Sequence, residues 1–562
     1  MNTYSVSWLG LAFFLPWLLA PVALLPGIRR HCLSLLPIAP LPALAAALWM
    51  PGGTVLTAPD LLLGAQLALD EGGRWFVGAA AFLWCVAGLY ARGYLHLDPR
   101  RAGFAALWCL TLAGNLGVFL AADVVTFYAS FACVSLAAYP LVIHTRDLPA
   151  RRAGLVYIVL ALIGETCLLL GFMLAVSGSA ELGIAEVRAA IAGSPWRGAI
   201  LSLLIAGFGI KAGLVPLHVW LPLAHPAAPT PASAVLSGAI VKAGIFGLIQ
   251  FLPFGLALPG WHHVLLWCGF VTAFFGIVAG LAQDNPKTVL AYSTVSQMGL
   301  VATLLAMALQ QGSPQIALAA AGFYALHHGL AKGALFLGAG VVAASGARAL
   351  GPVLIVLMLP ALSLAGLPLT GGALAKLGAK PALGSGVVEL LFTLSAIGTA
   401  LLMLRFMLKV TDTAAEAAEV RAPAGLLLPW WAAVAASVAV PWVLFTAATG
   451  LADSYPFVPG NLLSGVWPIA AAGVLAVLAW RTGLRVPAIP EGDLLAPVIA
   501  AGMWLVSWLP ARVGRFLRLR LPAWRPTLER WFDQWAARTE QHLSSWSIGG
   551  VLLIALAILA AF

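Results

Sequence analysis

The stretch Gly209–Gly247, GIKAGLVPLHVWLPLAHPAAPTPASAVLSGAIVKAGIFG, decides how the rest of the chain is read. Two lysines, Lys211 and Lys242, lie inside apolar runs of helix length. Between them come five prolines (Pro216, Pro222, Pro226, Pro229, Pro231) and two histidines, His218 and His225. A charge at the centre of a bilayer costs roughly 2.5–3.5 kcal/mol or more. Proline inside a spanning helix frees backbone carbonyls that neighbours, water or a cavity must satisfy. A broken helix beside a buried lysine therefore predicts a polar pathway through the membrane interior, used for ion conduction. The alternative for each lysine is to snorkel to a headgroup or to form a structural pair. Lys211 follows the apolar run 200–210 and precedes the prolines, which puts it near mid-depth.

The surroundings fit that reading. The chain has 562 residues, is 62% hydrophobic and 9% charged, and has a mean hydropathy of +0.99. That is the composition of an integral membrane protein. The net charge of +10 does not mark a nucleic-acid binder, because Arg and Lys fall in short loops between apolar runs and form no basic stripe with interleaved aromatics. The six cysteines (Cys32, Cys85, Cys109, Cys133, Cys167, Cys268) sit in apolar segments with no metal or CxxC spacing, and read as small core residues. No Lys or Arg precedes the first apolar run and no small-residue cleavage site stands out, so the N-terminus reads as a retained span.

Apolar runs long enough to cross about 30 Å of hydrocarbon number about fifteen to sixteen. They fall near 6–28, 32–50, 74–95, 104–122, 124–143, 153–177, 198–220, 231–252, 262–282, 288–307, 316–345, 351–377, 385–409, 426–448, 464–481 and 547–562. Arg29, Arg30, Arg100, Arg101, Arg146, Arg151, Arg152, Lys287, Arg348, Lys409, Arg481 and Arg485 follow odd-numbered spans, whereas Asp60, Asp70, Glu71, Glu181 and Glu186 fall mostly on the other side. The positive-inside rule then turns the N-terminus away from the cytoplasm. Near the C-terminus, RVGRFLRLRLPAWRPTLERWFDQWAARTEQHLSSW (512–546) mixes seven arginines with aromatics at near-helical spacing. It suits an amphipathic helix on the cytoplasmic interface over about 511–545, followed by a last span at 547–562; an ordinary basic loop is the other reading.

A second polar stretch echoes the first. Leu290–Gly299 reads LAYSTVSQMG, and Tyr324–Gly340 reads YALHHGLAKGALFLGAG, with His328 and Lys332 four residues apart on one helix face. LPALSLAGLPLTGGALAKLGAK (359–380) is interrupted at Pro368, Gly371 and Gly372, with Lys376 beyond the break. Two broken helices, each with a lysine, in corresponding places point to inverted repeats with a site in each half. The expected fold is all-α: N-terminal spans at 1–103, five-helix repeats at 104–252 and 262–410, and C-terminal helices at 426–562. Tyr292, Ser293, Ser296 and Gln297 either line water or satisfy backbone groups, His327 packs, and His218 and His225 either bond the helix break or relay protons.

IKAGLVPLHVWLPLAHPAAPTPASAVLSG, LAYSTVSQMG, HGLAKGALFL and AGLPLTGGALAK together, in order and spacing over about residues 70–410, closely resemble the antiporter-like membrane subunits of complex I (NADH:quinone oxidoreductase), Mrp-type Na+/H+ antiporters and membrane-bound hydrogenases. The resemblance implies a proton-translocating subunit, or a Na+/H+ exchanging one, that works beside other membrane subunits in the plasma (inner) membrane of a prokaryote. It makes Lys211 the first-half channel lysine and Lys242 the bridging one. His328 and Lys332 match the central motif of the second half, and Lys376 the lysine after the second break. Three departures stand out. Ala132 in FYASFACVSLAAYPLVIH occupies the place of the glutamate that pairs with the first-half lysine. Glu165 in LIGETCLLLG matches the acidic position of the large terminal subunits of complex I. Tyr324 stands where one branch has a histidine.

Burial works against an ammonium and a nearby carboxylate works for it. Glu165 is therefore expected to stand in for the missing glutamate and modulate Lys211, which exchanges a proton with Lys242 and then with His328, Lys332 and Lys376. No GxGxxG, P-loop, cysteine cluster or haem motif is present, so no redox cofactor and no catalytic centre is expected, and partner subunits or an ion gradient supply the energy. Two alternatives remain open: a structural or coupling subunit whose channel has decayed, and the energising membrane subunit of a two-component inorganic-carbon uptake system. Neighbouring genes would separate them.

Overall fold

Prolines and aspartates punctuate the chain into helices. The computed structural model describes residues 3–310, 314–483, 489 and 491. In order come α1 (Thr3–Val22), a 3-10 turn (Cys32–Ser34), α2 (Leu41–Trp49), a hairpin of β1 (Thr54–Ala58) and β2 (Ala65–Leu69), α3 (Glu71–Tyr94), α4 (Arg101–Leu120), α5 (Val124–Val142), α6 (Leu148–Val176), α7 (Ile184–Gly193) and α8 (Arg197–Ala212). There follow α9 (Trp220–Ala227), α10 (Thr230–Val235), a π-turn (Leu236–Ile240), α11 (Lys242–Phe251), α12 (Pro259–Leu281), α13 (Pro286–Ala308) and α14 (Pro314–Ala343). The last are α15 (Ala347–Ala365), α16 (Gly371–Leu383), α17 (Val387–Thr411), α18 (Ala424–Thr449), a 3-10 turn (Tyr455–Phe457) and α19 (Pro459–Thr482). The expected surface helix at 511–545 and last span at 547–562 lie outside the described residues.

Among the described residues, twelve helices are long and apolar enough to cross a bilayer, counting Thr230–Phe251 as one. The protein is a nearly all-helical, multi-pass membrane protein. Three expected spans take other forms. The run at 32–50 carries Pro37, Pro40 and Pro42 and yields only a 3-10 turn and the nine-residue α2. At 1.5 Å per residue α2 reaches about 14 Å, under half the hydrocarbon thickness. The run at 198–220 gives α8 and the first break, with α9 beginning only at its last residue, and the run at 351–377 divides into α15 and α16 around the second break. The only strands among the described residues form the antiparallel hairpin, which pairs Thr54 with Leu69 and Ala58 with Ala65. The hairpin was not foreseen from the sequence.

Asp123 and Asp147 fix the starts of α5 and α6 by accepting from Thr126 N and Ala150 N, each at 2.8 Å. Asp123 also accepts from Gln66 N at 2.7 Å, tying the hairpin to α5. Helix α13 and the stretch of α14 from Ala320 onward are buried within the bundle, whereas α6 and α19 turn residues such as Leu162, Met173, Leu463 and Trp480 outward. Close helix contact without a water-driven hydrophobic force relies on small residues. Gly299 on α13 shows this: a methyl group there would lie 2.5 Å from the Gly269 carbonyl oxygen of α12.

Candidate functional site

The first break is built from Gly213 and the prolines around it. Gly213, at φ 77°, ends α8 in the left-handed conformation that glycine adopts without strain. Leu214 N turns back to Gly209 O at 2.9 Å, and the indole Nε1 of Trp220 donates to Ile210 O at 2.7 Å, so two of the carbonyls in the last turn of α8 are satisfied. Lys211 sits in that last turn, where the negative end of the helix dipole favours a cation.

Its ammonium donates to Ser135 Oγ at 2.6 Å, and Ser135 Oγ donates to Glu165 Oε1 at 2.6 Å. One hydroxyl on α5 thus joins the lysine of α8 to the carboxylate of α6. Tyr157 donates to Ser135 O at 2.9 Å. The Lys211 ammonium also lies 5.3 Å from the Phe131 ring centre and 5.8 Å from that of Tyr157, within cation–π range. These residues, with Ala161, Gly164, Gly207, Ile210 and Trp220, line a cavity of about 10 Å³, the lower limit for one water. Glu165 Oε2, which makes no hydrogen bond, is available to such a water.

The centre is organised by the π-turn, where Val241 N bonds Leu236 O five residues back at 3.2 Å. The widened turn leaves Ser237 O open to accept from Lys242 Nζ at 2.6 Å, and the same ammonium meets His328 Nδ1 on α14 at 2.8 Å. Ser237 Oγ bonds Thr294 Oγ1 of α13 at 2.8 Å, and Thr294 donates to Leu290 O at 3.0 Å. Leu290 O also accepts from Lys332 Nζ at 2.8 Å. Lys242, Lys332 and His328 are thereby held in one network across α10–α11, α13 and α14. Helix α11 packs on α8 at Gly244, where a methyl group would lie 2.7 Å from Ala212 N, so Lys242 and Lys211 sit on touching helices.

At the second break Gly366, at φ 92°, ends α15, and Lys376 on α16 donates to Ala365 O at 2.7 Å. The other expected histidines make ring contacts. His218, between α8 and α9, packs against Phe275 at 5.0 Å and Tyr292 at 6.1 Å. His225 is buried and stacks on Phe336 at 4.5 Å. Tyr324 donates to Gln297 Oε1 at 2.8 Å, and Gln297 donates on to Thr399 Oγ1 at 3.1 Å, so Gln297 spends its side chain within a string of polar groups. The sequence reading missed Ser135. Its signal was present: Ser135 lies three residues after Ala132, on the same face of α5.

The profile of the NADH:quinone oxidoreductase/Mrp antiporter transmembrane family matches residues 121–401, half of the chain. The chain belongs to this family. Its relatives include hydrogenase-4 component B of Escherichia coli (strain K12), 33% identical over 289 residues that make up 49% of this chain and 43% of that protein. A Na(+)/H(+) antiporter subunit of Bacillus subtilis (strain 168) is 28% identical over 329 residues, 56% of this chain and 66% of that protein. The chain therefore matches less than half the length of the hydrogenase component and about two thirds of the antiporter protein. A chain of the Mrp complex from Dietzia sp. DQ12-45-1b superposes with a TM-score of 0.69 at 23% identity, over 82% of this chain and 100% of that chain, which shows a common fold. The four-motif resemblance holds, and the relatives are named as components or subunits of larger membrane assemblies.

Proposed function

We propose that this family member is a proton-translocating membrane subunit of a multisubunit complex of the complex I, Mrp or membrane-bound hydrogenase type. It lies in the prokaryotic plasma membrane among other membrane subunits, with its N-terminus away from the cytoplasm and its two repeats at 104–252 and 262–410. The observation that carries the reading is the Lys211–Ser135–Glu165 connection. In one concerted exchange, Lys211 gives an ammonium proton to Ser135 Oγ while Ser135 gives its own to Glu165 Oε1. The products are a neutral amine and a neutral carboxylic acid, which removes two charges from a site where each is costly. The reverse step restores both.

Lys242, His328 and Lys332 continue the path through the central network, and Lys376 ends it at the second break. His225 and His218 flank this path on the first break. Exchange against Na+ is the form the activity would take if an imposed Na+ gradient drove proton movement. Ala132 supports a second reading, a non-conducting structural or coupling subunit, because it removes the acid from the usual place on α5. Against it, Ser135 brings the carboxylate of α6 to the same lysine.

Glu165→Gln separates the two. It keeps the shape and one hydrogen-bonding oxygen but cannot take the proton. Flux by the assembled complex in proteoliposomes should fall sharply, and flux equal to wild type would remove the acid from the mechanism.

A further inference from the structure

Adjacent histidines on one helix turn point about 100° apart. His328 meets Lys242, whereas His327 faces the second break. His327 is 1% exposed, and neither of its ring nitrogens has a hydrogen-bond partner. A buried ring with two unmet nitrogens is costly unless something calls for it. Its surroundings are specific. A methyl group on Gly371 would lie 2.8 Å from Nδ1, and one on Gly372 would lie 3.1 Å from Nε2. Both ring nitrogens therefore lie against the bare backbone that opens α16. Across the same gap, Ser363 Oγ accepts from Gly372 N at 3.3 Å, and Lys376 on α16 holds Ala365 O at 2.7 Å.

The face is also telling. His327 and His328 follow Tyr324 by three and four residues, so the two rings flank the tyrosine's side of α14 and diverge from it in opposite directions. Tyr324 is committed to Gln297. The ring that faces the second break is His327, by its contacts with Gly371 and Gly372.

We propose that His327 is the proton relay between the central network of His328 and Lys332 and the second-break lysine, Lys376. This rests on the proton-translocating reading above and adds a residue to it. An imidazole can accept a proton at one nitrogen while releasing one from the other. In that step an N–H bond breaks on the donor ammonium, one forms on His327, the opposite N–H of His327 breaks, and its proton bonds to the acceptor. The ring remains neutral overall and resets its tautomer by turning over. The positive N-terminal end of α16 beside it disfavours a lasting imidazolium, so the proton passes on instead of stopping there. Each transfer brings its partners within hydrogen-bond reach, through ring rotation or one water.

The test uses the complete complex in proteoliposomes, with proton uptake measured for wild type, Lys332→Ala, His327→Asn and His327→Leu. Assembly and thermal stability are followed in parallel. Asn offers a donor and an acceptor near Nδ1 but does not titrate, so a packing or bonding role would survive the change and a relay would not. The expected result is that His327→Asn assembles normally and loses about a hundredfold of flux, the lower range for removing an acid–base group. Where His327→Leu fails to assemble, His327→Asn decides. Wild-type flux in His327→Asn, with Lys332→Ala inactive, overturns the relay and leaves the broader reading standing. Equal flux in wild type and Lys332→Ala overturns both.

Discussion

Ser135→Ala removes the one atom that joins Lys211 to Glu165. In the wild type that atom makes two bonds of 2.6 Å to charged groups, so no gap separates the ammonium from the carboxylate. Hydrogen bonds to charged groups contribute about 1.5–3 kcal/mol each. Both are lost together, and the small cavity beside them holds at most one water, which the vacated hydroxyl space would help to admit. A bridging water recovers much of a direct bond, so the net loss should be close to that of a single bond. At 1.36 kcal/mol per factor of ten, this predicts proton flux roughly ten- to a hundredfold below wild type. Ser135→Thr keeps the hydroxyl and should stay within about threefold, since it retains the acceptor and donor of the relay. The assay is quenching of a pH-sensitive dye in proteoliposomes holding the complete complex, with assembly checked on the same preparation. Wild-type flux in an assembled Ser135→Ala complex would refute the bridge.

Three further changes test other parts of the structure. Gly372→Ala places a methyl group on the Ser363 carbonyl oxygen and should separate α15 from α16, lowering both assembly and flux; a variant with wild-type thermal stability would contradict that packing. Trp220→Phe removes the indole donor from Ile210 O, which keeps its bond from Gly213 N at 3.1 Å, and should cost about 0.5–1.5 kcal/mol, read as a lower melting temperature in detergent. Outside the spans, His144 Nε2 donates to Asp98 Oδ2 at 2.9 Å. Burial and nearby arginines hold His144 below its usual range against the pull of Asp98, so the imidazole is neutral near pH 7. Burial would raise Asp98, but its bonds from His144 and Arg100 N outweigh that and hold it below the usual carboxylate range. Both groups bind fewer protons folded than unfolded. The stability they contribute is therefore present above about pH 6.5 and is lost first through His144 and then through Asp98 as pH falls. His144→Asn should flatten the drop in melting temperature between pH 7 and pH 5, and an unchanged slope would count against the pair.

Much of this was legible in the chain because its strongest signals are local. Proline and glycine placement gives both breaks, since Gly213 and Gly366 end α8 and α15 beside the prolines that mark them. Lys211, Lys242, Lys332 and Lys376 stand out because charge is rare in these runs. What the sequence hid depends on rotation and distance. Ser135 looks like any small polar residue until α5, α6 and α8 meet, and His327 is separated from His328 only by which way each ring points. The π-turn at Leu236–Ile240 has no composition signal, yet it frees the carbonyl that holds Lys242. The hairpin at 54–69 is too short to show a pattern beside long apolar runs.

The central claim is that protons cross through Lys211. Its most direct test is proton flux by the complete complex in proteoliposomes, wild type against Lys211→Ala. The account predicts that the variant assembles and its flux falls sharply, because Ser135 and Glu165 lose the group with which they exchange. Unchanged flux in an assembled Lys211→Ala complex would contradict it, and would leave conduction to His328, Lys332 and Lys376 or to another subunit.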